Sequence, residues 1–384
     1  MYFCEKRELN CLKRLILQRI IYIILMDSNN LTPLRKGVVG VQFLFVAFGA
    51  TVLVPLLVGL DPSTALFTAG IGTLIFHAVT RGKVPVFLGS SFAFIAPIIK
   101  ATELYGLPGT LSGMVGVALV YFVMSALVKW QGVRVIERLF PPVVIGPVII
   151  LIGLSLAGTG VNMAKENWVL ALLSLVTAVV VSMKAKGLLK LIPIFCGIVV
   201  GYLAAWLFYD LDLSGVRDAA WIGLPQFVFP KFSWEPVLFM IPVAIAPVIE
   251  HIGDIYVVNT VTGKDFVKDP GLHRTLLGDG LACFCAGFTN PQVIRIAAIS
   301  AILFSVIGKI SALLRSIPSA VLGGIMLLLF GTIACAGIGN LVNNCIDLSR
   351  TRNIIIVSLT LTVGIGGAAF NWGDFSLSGI GLAG

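Results

Sequence analysis

Two carboxylates stand four residues apart in the apolar stretch VIEHIGDIYVVN, at Glu250 and Asp254. In a helix that spacing places both on one face, with Gly253 beside them. An acid at the centre of a bilayer costs about 2.5–3.5 kcal/mol on insertion scales, so carboxylates in such a stretch are expected to bind a solute or a proton. Glu250 lies deeper in the stretch and is the stronger candidate. Asp254 lies nearer its end, where solvation alone would also account for it. His251 is turned about 100° from Glu250 round the helix and so faces packing neighbours. His251 and Gly253 are therefore read as supports of the acids rather than as contacts of a solute.

A second stretch, VPVFLGSSFAFI from Val84 to Ile95, gathers Pro, Gly and two Ser inside apolar sequence. These residues weaken a helix and free backbone groups, and broken backbone at membrane depth is stable only where it is buried or lines a cavity. A binding segment is the expectation, with close helix packing by small residues as the alternative. A third stretch, TGKDFVKDPGLHRTLLGDG, is a polar connector running into a Gly-rich span. Its charges set topology, and Arg274 and Asp279 could form a structural pair. Cys283 and Cys285, two of seven cysteines, have no His or carboxylate at ligand spacing, so packing is expected there rather than a metal. The spans hold no Ser/His pair and no HExxH pattern, and no enzyme is expected.

The elements that must position these groups are membrane helices. The chain has 384 residues, 58% hydrophobic and 12% charged, with a mean hydropathy of +1.02. That composition excludes a soluble protein. Gly37 to Leu60 carries no charge and is long enough to cross a bilayer, which takes about 20 residues. Comparable runs fall near 64–80, 84–99, 109–128, 140–158, 167–183, 188–209, 236–258, 272–289, 293–314, 317–338 and 353–370, about a dozen spans. The net charge of +9 comes from residues at helix ends, which argues for orientation rather than nucleic acid. Arg81/Lys83, Lys129/Arg134/Arg138, Lys184/Lys186/Lys190 and Lys264/Lys268/Arg274 gather in alternate loops, expected to be cytoplasmic together with the N-terminus. The aromatic-rich loop Asp210–Glu235 is expected outside. Residues 1–25 have a basic start but no small-residue cleavage site, and the sequence from Met26 reads as an ordinary start.

The stretch FPPVVIGPVIILIGLSLAG resembles IPSAVLGGIMLLLFGTIACAG: Pro141 matches Pro318 and Gly146 matches Gly323, both 177 residues on. Weak similarity between halves is the mark of repeat-built transporters. The first span corresponds instead to one about 200 residues later, so the second half is short by roughly one helix of about 20 residues.

FGATVLVP (Phe48–Pro55), VPVFLGSSFAFIAP (Val84–Pro97), EHIGD (Glu250–Asp254) and GKDFVKDPGLHRTLLGDG (Gly263–Gly280), in this order, resemble the nucleobase-cation symporter family of uracil and xanthine/urate permeases. The resemblance runs from about Leu34 to Gly384. It implies an all-α polytopic membrane protein of two inverted seven-span repeats, with a core domain moving against a gate domain and broken helices at the binding site. It implies that Glu250 hydrogen-bonds a nucleobase, that Asp254 couples to the proton, and that Ser91, Phe92 and Ala93 approach the base. A uracil edge alternates N–H donors and C=O acceptors, which a carboxylate and exposed backbone amides satisfy, while Phe92 or Phe94 can cover the ring.

On this resemblance the chain divides into a cytoplasmic segment 1–36, core 37–130, gate 131–232, core 233–314 and gate 315–384. After Ala286–Phe288 the family's PNTTYGENIG-like stretch, with its second acid, is replaced by TNPQVIRIAA, so one span is expected missing at 288–290. The last span is expected to be truncated. Losing one span would push the Arg350/Arg352 loop outside unless a neighbouring helix fails to insert. The expected function is proton-coupled nucleobase uptake in the inner membrane, with sodium coupling and a homodimer left open and no cofactor. The alternatives are a non-transporting fragment and an anion transporter of the same architecture, the latter disfavoured by two intramembrane acids.

Overall fold

The computed structural model describes residues 51–186, 189–190, 192–209, 211–223, 228–284, 301–366, 369–372 and 375–378. The segment 1–36 and the junction at 288–290 lie outside these residues. The described chain is helical, with one short antiparallel ribbon near its C-terminal end, β1 (Ala369–Trp372) with β2 (Phe375–Ser378).

The helices are α1 (Pro62–Val79), α2 (Ile95–Gln131), α3 (Arg134–Leu139), α4 (Pro142–Ser155), α5 (Ala157–Ala164), α6 (Trp168–Lys184) and α7 (Pro193–Phe208). They continue as α8 (Ser214–Asp218), α9 (Trp234–Val243), α10 (Ile245–Thr262), α11 (Leu272–Phe284), α12 (Gly308–Arg315), α13 (Ser319–Asn343) and α14 (Thr351–Ile365). Four described segments are long and apolar enough to cross a membrane: Pro62–Val79, Phe92–Gln131, Pro142–Ala164 and Ser319–Asn343. The pair α9 and α10, bent by 42°, makes a fifth. The shorter apolar helices α6, α7 and α14 accompany them.

Local sequence explains the ends and breaks. Asp61 caps α1 by accepting from the Ser63 backbone N–H at 3.1 Å, with Pro62 at the first helical position. Burial raises the Asp61 carboxyl, but hydrogen bonds from Ser63 and Arg315 outweigh it and hold the group below the ordinary carboxylate value. Asn167 caps α6 through the Val169 and Leu170 N–H groups. The segment Phe92–Gln131 is two arms, because Gly106 adopts φ 69° and ψ 165° and Pro108 opens the second arm. Pro242 and Pro247 flank the bend between α9 and α10, where their missing N–H groups break the ladder.

The basic loops share one face. Lys83 Nζ meets Asp269 Oδ1 at 2.5 Å, and Ser125 Oγ donates to the His273 carbonyl at 2.6 Å. The helices formed by the two stretches matched in sequence, α4 and α13, pack antiparallel on each other. Pro141 and Pro318 stand at equivalent N-cap positions with ψ 155° and 139°. A Cβ on Gly153 would stand 2.5 Å from the Phe330 carbonyl oxygen, and one on Gly337 would stand 2.6 Å from that of Gly146. The C-terminal end of α13 therefore lies beside the start of α4, on the basic face.

Of the two outcomes expected for the Arg350/Arg352 loop, the described helices match the one in which it stays on the basic face. It follows α13 directly and so lies with the other basic loops. The chain starts α11 at the basic face and reaches the opposite face by α12, where Arg315 meets Asp61 at 2.9 Å and Gly308 N–H bonds the Trp221 carbonyl. Ser316 and Tyr202 then pair at 2.7 Å, and Ser319 donates to Glu166 at 2.6 Å, on that same face. Between α11 and α12 the chain thus passes from the basic face to the opposite one.

Candidate functional site

Val84 to Ser91 forms no helix. Its freed backbone is held by two side chains one turn apart on α1. Thr73 Oγ1 accepts from Leu88 N–H at 2.9 Å, and His77 Nε2 pairs with the Val86 carbonyl oxygen at 2.8 Å. Residues i and i+4 of a helix thus hold residues i and i+2 of the non-helical segment. Thr73 and His77 were not picked out from sequence. The available signal was two polar residues on one face of an apolar span preceding a broken one.

The extended segment ends at Ser91, which caps a single 3-10 turn, Phe92–Phe94, leading into α2. Ser91 Oγ accepts from the Ala93 N–H at 3.2 Å and donates to Glu250 Oε2 at 2.5 Å. The serine therefore joins the broken segment to the acid on α10. Ala93 is buried against Ile145, Val148, Ala246 and Ile249, and its N–H is used by the cap. Phe94 is buried in the main core. Phe92 is half-buried and stands edge-on to Phe330 of α13, with ring centroids 5.9 Å apart at 87°. Of the two phenylalanines, Phe92 borders the site.

On α10 the structure separates two faces. Ile249, Ile252 and Ile255 are buried. Glu250 is half-buried, Asp254 is exposed and Val257 is 59% exposed. A Cβ built on Gly253 meets no described atom within 4 Å. Glu250, Gly253, Asp254 and Val257 thus line one open face, as the four-residue spacing implied. His251 points away from it and its Nδ1 stands 3.0 Å from Asp279 Oδ2. Asp279 accordingly takes His251 as its partner rather than Arg274, because α11 brings it to the buried side of α10. Among the described residues no group of three His, Cys, Asp or Glu is placed to hold a metal.

A family model described as the permease family, of xanthine/uracil permease type, matches residues 36–292 and 288–371. The chain belongs to this permease family. A protein named probable uracil permease from Pasteurella multocida (strain Pm70) is 44% identical over 389 positions, covering 94% of this chain and 93% of its own. The uracil permease of Bacillus caldolyticus is 44% identical over 379 positions, covering 89% and 88%. That of Escherichia coli (strain K12) is 35% identical over 384, covering 91% and 89%. The transmembrane domain of the cyanobacterial bicarbonate transporter BicA shares the fold, with a TM-score of 0.57 at 15% identity over 88% of this chain and 96% of that domain.

The match to the permease model breaks at 288–292, where its two segments meet. Ninety-four per cent of 384 residues is about 361, so about 28 of the 389 positions aligned with the Pasteurella protein face no residue of this chain. A membrane helix takes about 20 residues. The chain is a multi-pass membrane permease whose family match is interrupted at 288–292.

Proposed function

We propose that this chain is built to bind and translocate a nucleobase, uracil or a related oxo-purine, between a core and a gate domain by alternating access. The observation that carries the reading is the Ser91–Glu250 hydrogen bond at 2.5 Å, which joins the non-helical segment Val84–Ser91 to the acid on α10. Interrupted helices meeting near the midplane are how secondary transporters build substrate sites. Relatives named uracil permease, 35–44% identical over most of the chain, support the substrate class. In this reading Glu250 accepts from a ring N–H, the backbone beside Phe92 serves the carbonyl edge, and Phe92 covers the ring.

Asp254, one turn nearer the basic face, exchanges the coupling proton with water, and the basic face is cytoplasmic by the positive-inside rule. Replacing Asp254 by Asn should abolish uphill accumulation in membrane vesicles while uracil binding stays within about twofold. Accumulation that persists under a proton gradient would remove Asp254 from the coupling role.

A second reading rests on the open face. Gly253, Asp254 and Val257 look onto space that no described residue fills, and the family match is interrupted in the same half of the chain. In this reading the core lacks one of its two site helices and the chain does not transport. Radiolabelled uracil uptake in a permease-null host separates the two. Saturable uptake by the 384-residue chain supports the first. No uptake, restored by inserting the relatives' segment at 288–290, supports the second.

A further inference from the structure

Glu250 and His251 are neighbours on α10, about 100° apart round its axis. Whatever fixes the direction of His251 therefore also fixes where Glu250 points. On the site side Glu250 accepts from Ser91 and nothing described packs against Gly253, so most of the described packing that holds α10 is on its buried side. Ile252 and Ile255 are buried there, but apolar contacts are not directional. The directional contact is His251 Nδ1 to Asp279 Oδ2 at 3.0 Å, with the His251 side chain 7% exposed. The imidazole stands edge-on to Phe76 at 6.3 Å and to Tyr121 at 6.2 Å. Nε2 of His251 is buried and meets no hydrogen-bond partner among the described residues.

An ionised carboxylate only accepts, so the shared hydrogen sits on Nδ1, and Nε2 keeps its lone pair against the aromatic edges. In apolar surroundings such a bond is stronger than in water, and losing one partner leaves the other buried and unsatisfied. We infer that Asp279 is a positioning residue for the nucleobase site: acting through His251 Nδ1, it holds α10 in the rotation that presents Glu250 to Ser91. The role in binding rests on the reading of Glu250 as the nucleobase contact. The geometric part does not.

The test uses the full chain in lipid nanodiscs with three readouts. Nitrogen-15 NMR of its three histidines should show one neutral imidazole carrying hydrogen on Nδ1, lost in Asp279→Ala and in His251→Gln. Crosslinking between Ser91→Cys and Glu250→Cys, with the native cysteines replaced by alanine, should fall at least fivefold in Asp279→Ala and His251→Gln. It should recover in His251→Asn, whose amide N–H takes the place of Nδ1–H, and in Asp279→Asn, which keeps an acceptor. Uracil affinity, measured with Glu250 intact, should follow the same order, about tenfold weaker in the first pair. His251→Gln keeps the core filled and carries the test if Asp279→Ala fails to fold. An imidazole protonated on Nε2, or equal crosslinking in His251→Gln and His251→Asn, would overturn the proposal. Crosslinks that follow the order while no variant binds uracil would uphold the positioning of residue 250 and remove Glu250 as the nucleobase contact.

Discussion

Two glycines mark opposite solutions to the same packing problem. Gly153 of α4 lies where a Cβ would stand 2.5 Å from the Phe330 carbonyl oxygen and 2.7 Å from the Ala334 backbone nitrogen. Gly253 of α10 has no described atom within 4 Å of that position. The first lets two helix backbones touch, so α4 and α13 pack at closest approach. The second borders space beside two acids. The rigid contact and the open face lie on either side of Phe92, whose ring reaches across to Phe330. Small residues in membrane helices thus report either closest approach or access, and only the neighbouring helix distinguishes them.

The largest effect that would break this comparison is expected at the closed contact. Gly153→Leu drives a side chain into backbone that cannot give, a destabilisation of about 3 kcal/mol or more. It should remove the monodisperse peak in fluorescence-detected size-exclusion. A normal peak would mean that α4 and α13 do not touch as described.

Orientation sharpens the same contact. Because α13 returns to the start of α4, a cysteine replacing Thr351 should be labelled by an impermeant maleimide only from the side that also labels a cysteine at Lys129. Labelling from both sides would show that the interruption at 288–292 leaves two orientations, as a simple count of hydropathy runs implies.

At the open face, Glu250→Gln keeps an acceptor but removes the charge and alters the donor pattern. Uracil affinity should fall at least tenfold, about 1.4 kcal/mol. Titration calorimetry is run on this chain or, if it does not bind, on the version carrying the relatives' segment at 288–290. Unchanged affinity would detach Glu250 from recognition. The smallest effect is expected at Gly253→Ala, which adds a methyl to open space and improves helix propensity. Folded yield should stay within about twofold and melting within about 0.5 kcal/mol. Severe loss of yield would mean that another element fills the space.

Sequence alone determined the membrane class, because 58% hydrophobic residues in runs of about 20 admit no other solvent. It also singled out Glu250 and Asp254, because helix period fixes which residues share a face whatever lies opposite. The break at Val84–Ile95 was legible for a similar reason: Pro, Gly and Ser act on their own backbone. The residues that repair the break, Thr73 and His77, were not legible, since their partners Leu88 and Val86 come from a separate element. The partner of His251 was missed likewise, because Asp279 reaches it only when α11 packs on α10. Hydropathy also counted 272–289 and 293–314 as two spans, whereas tertiary contacts at Asp61, Trp221 and Tyr202 place α12 on the face opposite the start of α11. Local composition decides whether a segment can enter a membrane, but how far across it goes is decided by the helices already there.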